Sequence, residues 1–260
     1  MAKTIAIANQ KGGVGKTTTA VNLSSCLAYK GKKVLLIDTD PQGNTTSGLG
    51  VEKDNIKKST YDILINSEDI KNVIVDTMLE NLKLCPSNVN LAGAEVELVS
   101  VISRETRMKT VLEEIKDEYD FILIDCPPSL GLLTVNALTA ADTILVPIQC
   151  EYYALEGLSQ LMNTVKLVQR HLNKTLDVEG VVLTMFDART NLSIQVVEDV
   201  KKYFRNKVYR TVIPRNVRLS EAPSYGLPII LYDPKSKGSE CYLELAEEVI
   251  EYSEEVGKVI

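Results

Sequence analysis

The sequence predicts an α/β fold: a doubly wound, mostly parallel sheet with helices on both faces. Three observations carry that expectation. Short apolar runs alternate with segments of helical spacing along the whole chain. A glycine-rich turn joins the first apolar run directly to the first helix. No low-complexity linker, internal repeat or second core interrupts the alternation, so the 260 residues read as one domain spanning 1–260.

Residues 4–8 read as a buried strand and 19–29 as a helix, with Ala20, Leu23, Leu27 and Ala28 at helical spacing. Between them lies Gln10-Lys11-Gly12-Gly13-Val14-Gly15-Lys16-Thr17-Thr18. Strand, glycine-rich turn and helix are the setting a phosphate-binding loop requires. Glycines let consecutive N–H groups point into one concavity, and the helix N-terminus adds its positive end. The stretch from Lys11 to Thr18 would line the phosphates, Lys16 would reach the β- and γ-phosphates, and the Thr17 hydroxyl would hold Mg²⁺.

Residues 33–38 read as a second strand that empties into Asp38-Thr39-Asp40-Pro41-Gln42-Gly43-Asn44, where Pro41 and Gly43 stop it. Ligands of open α/β sheets bind beyond the carboxyl ends of strands, so Asp38 and Asp40 fall on the edge that carries the phosphate loop. Capping of a turn is the plainer use of two such aspartates. A short helix over 60–65, a short strand over 82–85 and a mostly helical stretch over 96–116 follow. In the last, Arg104, Arg107 and Lys109 face Glu105, Glu113 and Glu114 as a solvated surface. The third long apolar strand, 121–125, ends in Asp125, which we assign to ordering the Mg²⁺ shell, directly or through water.

Further strands are expected over 143–148, 178–186 and 208–213. A long helix over 153–171 would turn Leu155, Leu158, Leu161, Met162, Val165 and Leu167 or Val168 inward; its His171 reads as a surface residue. A helix over 194–204 would bury Val196, Val197, Val200 and Phe204 and present Lys201, Lys202 and Arg205. The final amphipathic helix, 239–255, carries Leu243, Ala246, Val249 and Ile250 inside. Glu240, Glu244, Glu247, Glu248, Glu251, Glu254 and Glu255 lie outside.

Composition narrows the function classes. There is no long apolar span and no room for a leader before the first strand, and five cysteines without a C-x-x-C pair suit the reducing cytoplasm. The net charge of −6 hides an asymmetry: residues 189–218 hold eight basic and two acidic side chains. Arg189, Lys201, Lys202, Arg205 and Arg218 from this segment are candidate contacts to nucleic-acid phosphates.

The loop departs from the usual G-x-x-x-x-G-K-[ST] form: Gln10 replaces the first glycine and Lys11 is an additional lysine. With K-G-G-V-G-K-T, D-T-D-P-Q-G-N and D-C-P-P-S-L-G, the chain resembles the deviant Walker A ATPases, P-loop NTPases, and among them the ParA/Soj partitioning ATPases. The resemblance covers essentially the whole chain. It implies ATP and Mg²⁺ as cofactors, and a homodimer when ATP is bound, in which Lys11 reaches the partner's nucleotide. It further implies that Asp40 positions the attacking water, that Asp38 lies near the metal and loop, and that Met185, Pro214 and Asn216 flank the adenine. Leu91 to Glu95 resembles a segment near the dimer surface. Arg189 and Arg218 match DNA-binding positions, so non-specific double-stranded DNA is an expected partner, with a nucleoid-associated location. A ParB-like centromere-binding protein is the other expected partner, and the resemblance also admits a replication initiator. The competing reading is a membrane-associated ATPase like the division-site regulator MinD. The acidic last helix argues against it, since anionic lipid would repel it.

Overall fold

The computed structural model describes residues 1–151 and 157–257. Strand β1 (Lys3–Ile7) leads through the glycine turn into α1 (Lys16–Tyr29) and on to β2 (Val34–Asp38). Helices α2 (Asn44–Gly48) and α3 (Thr60–Ile65) precede β3 (Val75–Asp76) and β4 (Leu82–Cys85). Then come α4 (Leu91–Glu97), α5 (Arg107–Glu113), β5 (Phe121–Asp125), α6 (Leu132–Ala140) and β6 (Thr143–Gln149). Helix α7 (Leu158–His171), β7 (Asp177–Phe186), α8 (Asn191–Phe204) and β8 (Val208–Pro214) follow. Two short helices, α9 (Val217–Glu221) and α10 (Ile229–Tyr232), lead to the long α11 (Lys237–Gly257).

The strands form one sheet in the order β3-β4-β2-β5-β1-β6-β7-β8, parallel throughout except at β3–β4. Its central strands read as unbroken apolar runs because both faces are covered. Ile5 and Ile7 pack with Leu23 and Leu27 of α1 and with Tyr242, Leu245 and Val249 of α11. The alternate residues Ala6 and Ala8 point to the other layer, with Leu133 and Ala137 of α6 and Leu161 and Val165 of α7.

The winding positions the site. From β1 the chain proceeds to β2 on one side, and from β5 it crosses to β6 on the other, so the glycine turn opens where the strand order reverses. The register sets Ile7 level with Asp125, and Asp125 level with Asp38. Three strand ends thus deliver the loop and two acids to one edge.

Several expectations need correction. The stretch 96–116 is not one helix. It breaks between α4 and α5, where Ser103 takes a left-handed φ of 57°. Arg107 is not part of a solvated charged face: its guanidinium donates to the Leu64 carbonyl and the Ser67 hydroxyl at the end of α3. Helix α6 was not anticipated. In α7 Val168, not Leu167, faces the core, while the expected first turn at 153–156, with Leu155, lies outside the described residues. Glu248 leaves the outer acidic face of α11 and accepts from the Arg210 and Thr211 amides of the edge strand β8. All five cysteines are free and buried, and burial pushes the thiols of Cys26, Cys85 and Cys150 up to about 12, which makes them packing groups rather than nucleophiles.

Candidate active site

Gly13 and Gly15 take φ of 76° and 89°, the left-handed region where a β-carbon is strained. A β-carbon placed on Gly12 or Gly13 would meet nothing within 4 Å, so the loop backbone borders open space. Gly15 begins α1 without a side-chain cap, and the first-turn amides of this 14-residue helix remain available to an anion. Two groups that sequence reasoning missed hold the loop from behind. The buried Asn9 amide donates to the Pro147 carbonyl of β6 at 2.7 Å and its oxygen accepts from the Lys11 amide at 3.0 Å. Thr184 of β7 donates to the Val14 carbonyl at 2.8 Å. A polar residue at a strand end was the only signal for either.

Lys16 is buried and its Nζ donates to the Lys11 carbonyl at 2.9 Å, across the mouth of the loop. Burial lowers its pKa, against the pull of Asp125. The partly exposed Lys11 side chain enters no ion pair among the described residues.

Asp125 is fully buried. Its Oδ2 accepts from the Thr17 hydroxyl at 2.9 Å and the Thr45 hydroxyl at 2.6 Å. Its Oδ1 is buried with no hydrogen-bond partner among the described residues. A desolvated carboxylate oxygen without a donor is costly, and a cation at this position would remove that cost. Two hydroxyls and a carboxylate are hard oxygen donors, the set that suits Mg²⁺. Thr17 and Asp125 therefore fit the expected metal, and Thr45 joins them from α2, a residue the sequence did not mark.

Asp38, level with Asp125, secures the loop after β2. Its Oδ2 accepts from the Thr46 amide at 2.9 Å and hydroxyl at 2.7 Å, and its Oδ1 accepts from the Asp40 amide at 3.1 Å. Both oxygens are engaged with the loop after β2, which this carboxylate anchors. Burial, with the neighbouring Asp125 second, raises its pKa to about 7. Burial likewise raises Asp125, offset in part by the two threonine hydroxyls. Asp40 is 9% exposed, and its Oδ1 accepts from the Gln42 amide at 2.9 Å.

Met185, Pro214 and Asn216 lie together. They line a cavity of about 260 Å³ together with Gly15, Thr18, Ser220 and Tyr242, contiguous with the start of α1. Met185 adopts a left-handed φ of 51° at the end of β7. The Asn216 oxygen caps α9 by accepting from the Leu219 amide at 3.3 Å.

The basic candidates are not brought together. Arg189 and Arg218 lie at the carboxyl edge of the sheet, one just before α8 and the other on α9. Lys201, Lys202 and Arg205 sit at the opposite end of α8, roughly 20 Å along a 14-residue helix. Most of the segment's cations also have internal partners. Arg189 pairs with Asp187, Lys202 with Asp199, Lys207 with Asp177, Arg210 with Glu248 and Glu251, Arg215 with Glu151, and Arg218 with Glu221 and Asp233. The +6 of the sequence is therefore not a +6 surface.

A parallel sheet with an anion-cradling turn at its reversal point, a buried lysine and a cation-ready aspartate define a nucleotide-binding P-loop protein. A family model described as an AAA domain matches residues 2–178. The chain is 68% identical to Bacillus subtilis "Sporulation initiation inhibitor protein Soj" over 96% of its length and 98% of that protein's, and 56% identical to Myxococcus xanthus "Chromosome partitioning protein ParA" over 95% and 87%. The chain belongs to the ParA/Soj family of partitioning ATPases. Among solved structures, cobyrinic acid a,c-diamide synthase of Mycobacterium smegmatis with bound ADP and magnesium superposes with a TM-score of 0.86 at 37% identity, covering 98% of this chain and 96% of that one.

Proposed function

We propose that the chain is a nucleotide-switched ATPase that binds non-specific DNA as an ATP-loaded dimer and partitions DNA with a ParB-like partner. The observation that carries the catalytic half is the convergence of Lys16, Thr17 and Asp125, with an unpartnered buried oxygen, beneath an open glycine loop. In this reading the loop amides and Lys16 bind the triphosphate, and the cavity beside Met185, Pro214 and Asn216 takes the adenine. Magnesium held at Thr17 and Asp125 would neutralise charge on the β- and γ-phosphates. Asp40 orients a water for in-line attack on the γ-phosphate and accepts its proton. Lys11, at the mouth of the loop, completes the site of a second copy, so dimerisation requires the triphosphate.

The membrane-associated alternative finds no support in the last helix. The apolar face of α11 is consumed against the sheet by Tyr242, Leu245, Ala246 and Val249. Among the described residues, no helix is long and apolar enough to cross a membrane. The DNA-binding role rests on Arg189, with a side chain 87% exposed, and on Arg218, 55% exposed, both on the edge that carries the nucleotide site.

Sedimentation with ATP, ADP or no nucleotide, with and without random-sequence duplex DNA, tests the proposal. The expected result is a dimer with ATP alone and DNA co-sedimentation only in that state. Lys11→Ala should bind ATP as a monomer and fail to dimerise. A Lys11→Ala protein that dimerises normally with ATP overturns the cross-subunit role.

A further inference from the structure

The loop bearing Asp40 and the loop after Asp125 meet at the site, where the Thr39 amide donates to the Asp125 carbonyl at 3.0 Å, and each also takes support from a third segment. The segment between β4 and the end of α4 touches both. At its start, the fully buried Ser87 donates its hydroxyl to the Asp40 carbonyl at 2.8 Å, and its amide donates to the Thr46 hydroxyl at 2.9 Å. That hydroxyl in turn donates to Asp38, so one residue fixes the Asp40 loop at two points. The fit is close: a β-carbon on Gly43 would come within 2.9 Å of the Ser87 carbonyl.

At its other end, Glu95 of α4 reaches the first turn of α6. Its Oε2 accepts from the Leu132 amide at 3.0 Å and its Oε1 from the Leu133 amide at 3.4 Å. Helix α6 has neither a side-chain cap nor an acid in its own first turn, so its cap is supplied by another element. A β-carbon on Gly131 would lie 2.5 Å from Glu95 Oε1, so a side chain there would displace the glutamate from the helix start. Gly131 ends the Cys126–Gly131 loop that starts at Asp125, and Thr134 ties the same loop back by donating to the Ser129 carbonyl at 2.7 Å.

We propose that the segment from Ser87 to Glu95 is a brace that sets the relative position of the two catalytic loops, with Ser87 and Glu95 as positioning residues for Asp40 and for the loop after Asp125. Neither residue meets the phosphates. Each acts through a backbone group that it holds, Ser87 on Asp40 and Glu95 on the start of α6. A misplacement of the order of 1 Å at a reacting group can reduce turnover about a hundredfold, so even partial slackening of this brace would be visible in kcat. The inference rests on Asp40 as the water-positioning group, and Asp40→Ala is its control.

The test is steady-state ATP turnover with Mg²⁺ on the full chain for Ser87→Ala, Glu95→Ala, Glu95→Gln and the double alanine variant, beside calorimetric ATP affinity and sedimentation with ATP. Each alanine variant should lose about tenfold in kcat while ATP affinity stays within about twofold and the ATP dimer persists. The double variant should lose less than the product of the two singles, as groups acting on one arrangement do. Glu95→Gln keeps a carbonyl acceptor for the Leu132 amide and should recover most of the turnover. The brace is overturned if both alanine variants keep wild-type kcat while Asp40→Ala is inactive. It is equally overturned if turnover falls only in step with ATP affinity or dimer mass, if the two effects multiply independently, or if Glu95→Gln is as slow as Glu95→Ala. Wild-type turnover in Asp40→Ala would instead remove the role on which the inference rests.

Discussion

Asp125 has to remain ionised to hold a cation although it is buried next to a second buried acid. Burial raises both Asp38 and Asp125, and the backbone pairing that sets them level keeps them close. The folded-state pKa of Asp38 lies above its unfolded value. Its contribution to stability is therefore present below pH about 4 and is lost as pH rises towards about 7. Asp38→Asn removes that titration. Relative to wild type, the metal-free variant should gain stability as pH rises from about 4 to about 7, by a few kcal/mol at most, and level off above. Chemical denaturation in chelator across that range measures the difference, and a pH-independent offset would refute it. Lys16 belongs to the same scale. Lys16→Ala should abolish stable ATP binding by removing the charge that meets the β- and γ-phosphates, and unchanged affinity by calorimetry would take Lys16 out of the site.

At the scale of elements, legibility followed periodicity and chemistry. Strands β1, β2 and β5 and the loop before α1 were readable because apolar runs end in glycines or acids, and those ends are the site. Helix α6 escaped because Leu132 to Ala140 is mostly apolar on every side; it lies under α5 and α7, and burial all round erases the amphipathic period. The break between α4 and α5 carries neither glycine nor proline, and a serine in the left-handed region gives no warning in sequence. The roles of Thr45, Ser87 and Glu95 were equally hidden. Each lies at least 37 residues from the group it serves, and hydroxyls and glutamates are common on any surface. Gly43 offers a check on this tightly built region. With φ 59° and the Ser87 carbonyl against it, Gly43→Ala should cost about 1–3 kcal/mol and slow turnover without displacing the adenine pocket. Thermal unfolding and ATP affinity measured together would show it, and full stability with full activity would contradict it.

For the whole molecule, the sheet separates what the sequence had grouped. Arg189→Glu and Arg218→Glu, on the nucleotide edge, should each abolish DNA binding while leaving ATP-dependent dimerisation intact. Lys201→Glu, at the far end of α8, should weaken DNA binding less. Retention of DNA by either arginine variant in co-sedimentation would count against the interface. The internal partners of these arginines have a further consequence for how DNA binding responds to its medium. An arginine that leaves Asp187 or Glu221 for a phosphate exchanges one anion for another, and the abandoned carboxylate must then collect a cation from solution. The small ions that a duplex sheds are thus partly recaptured by the protein. A plot of log affinity against log salt should be shallower than the slope of about −0.9 per contacted phosphate that unpaired cations would give. Asp187→Asn and Glu221→Gln, by freeing the arginines beforehand, should steepen it.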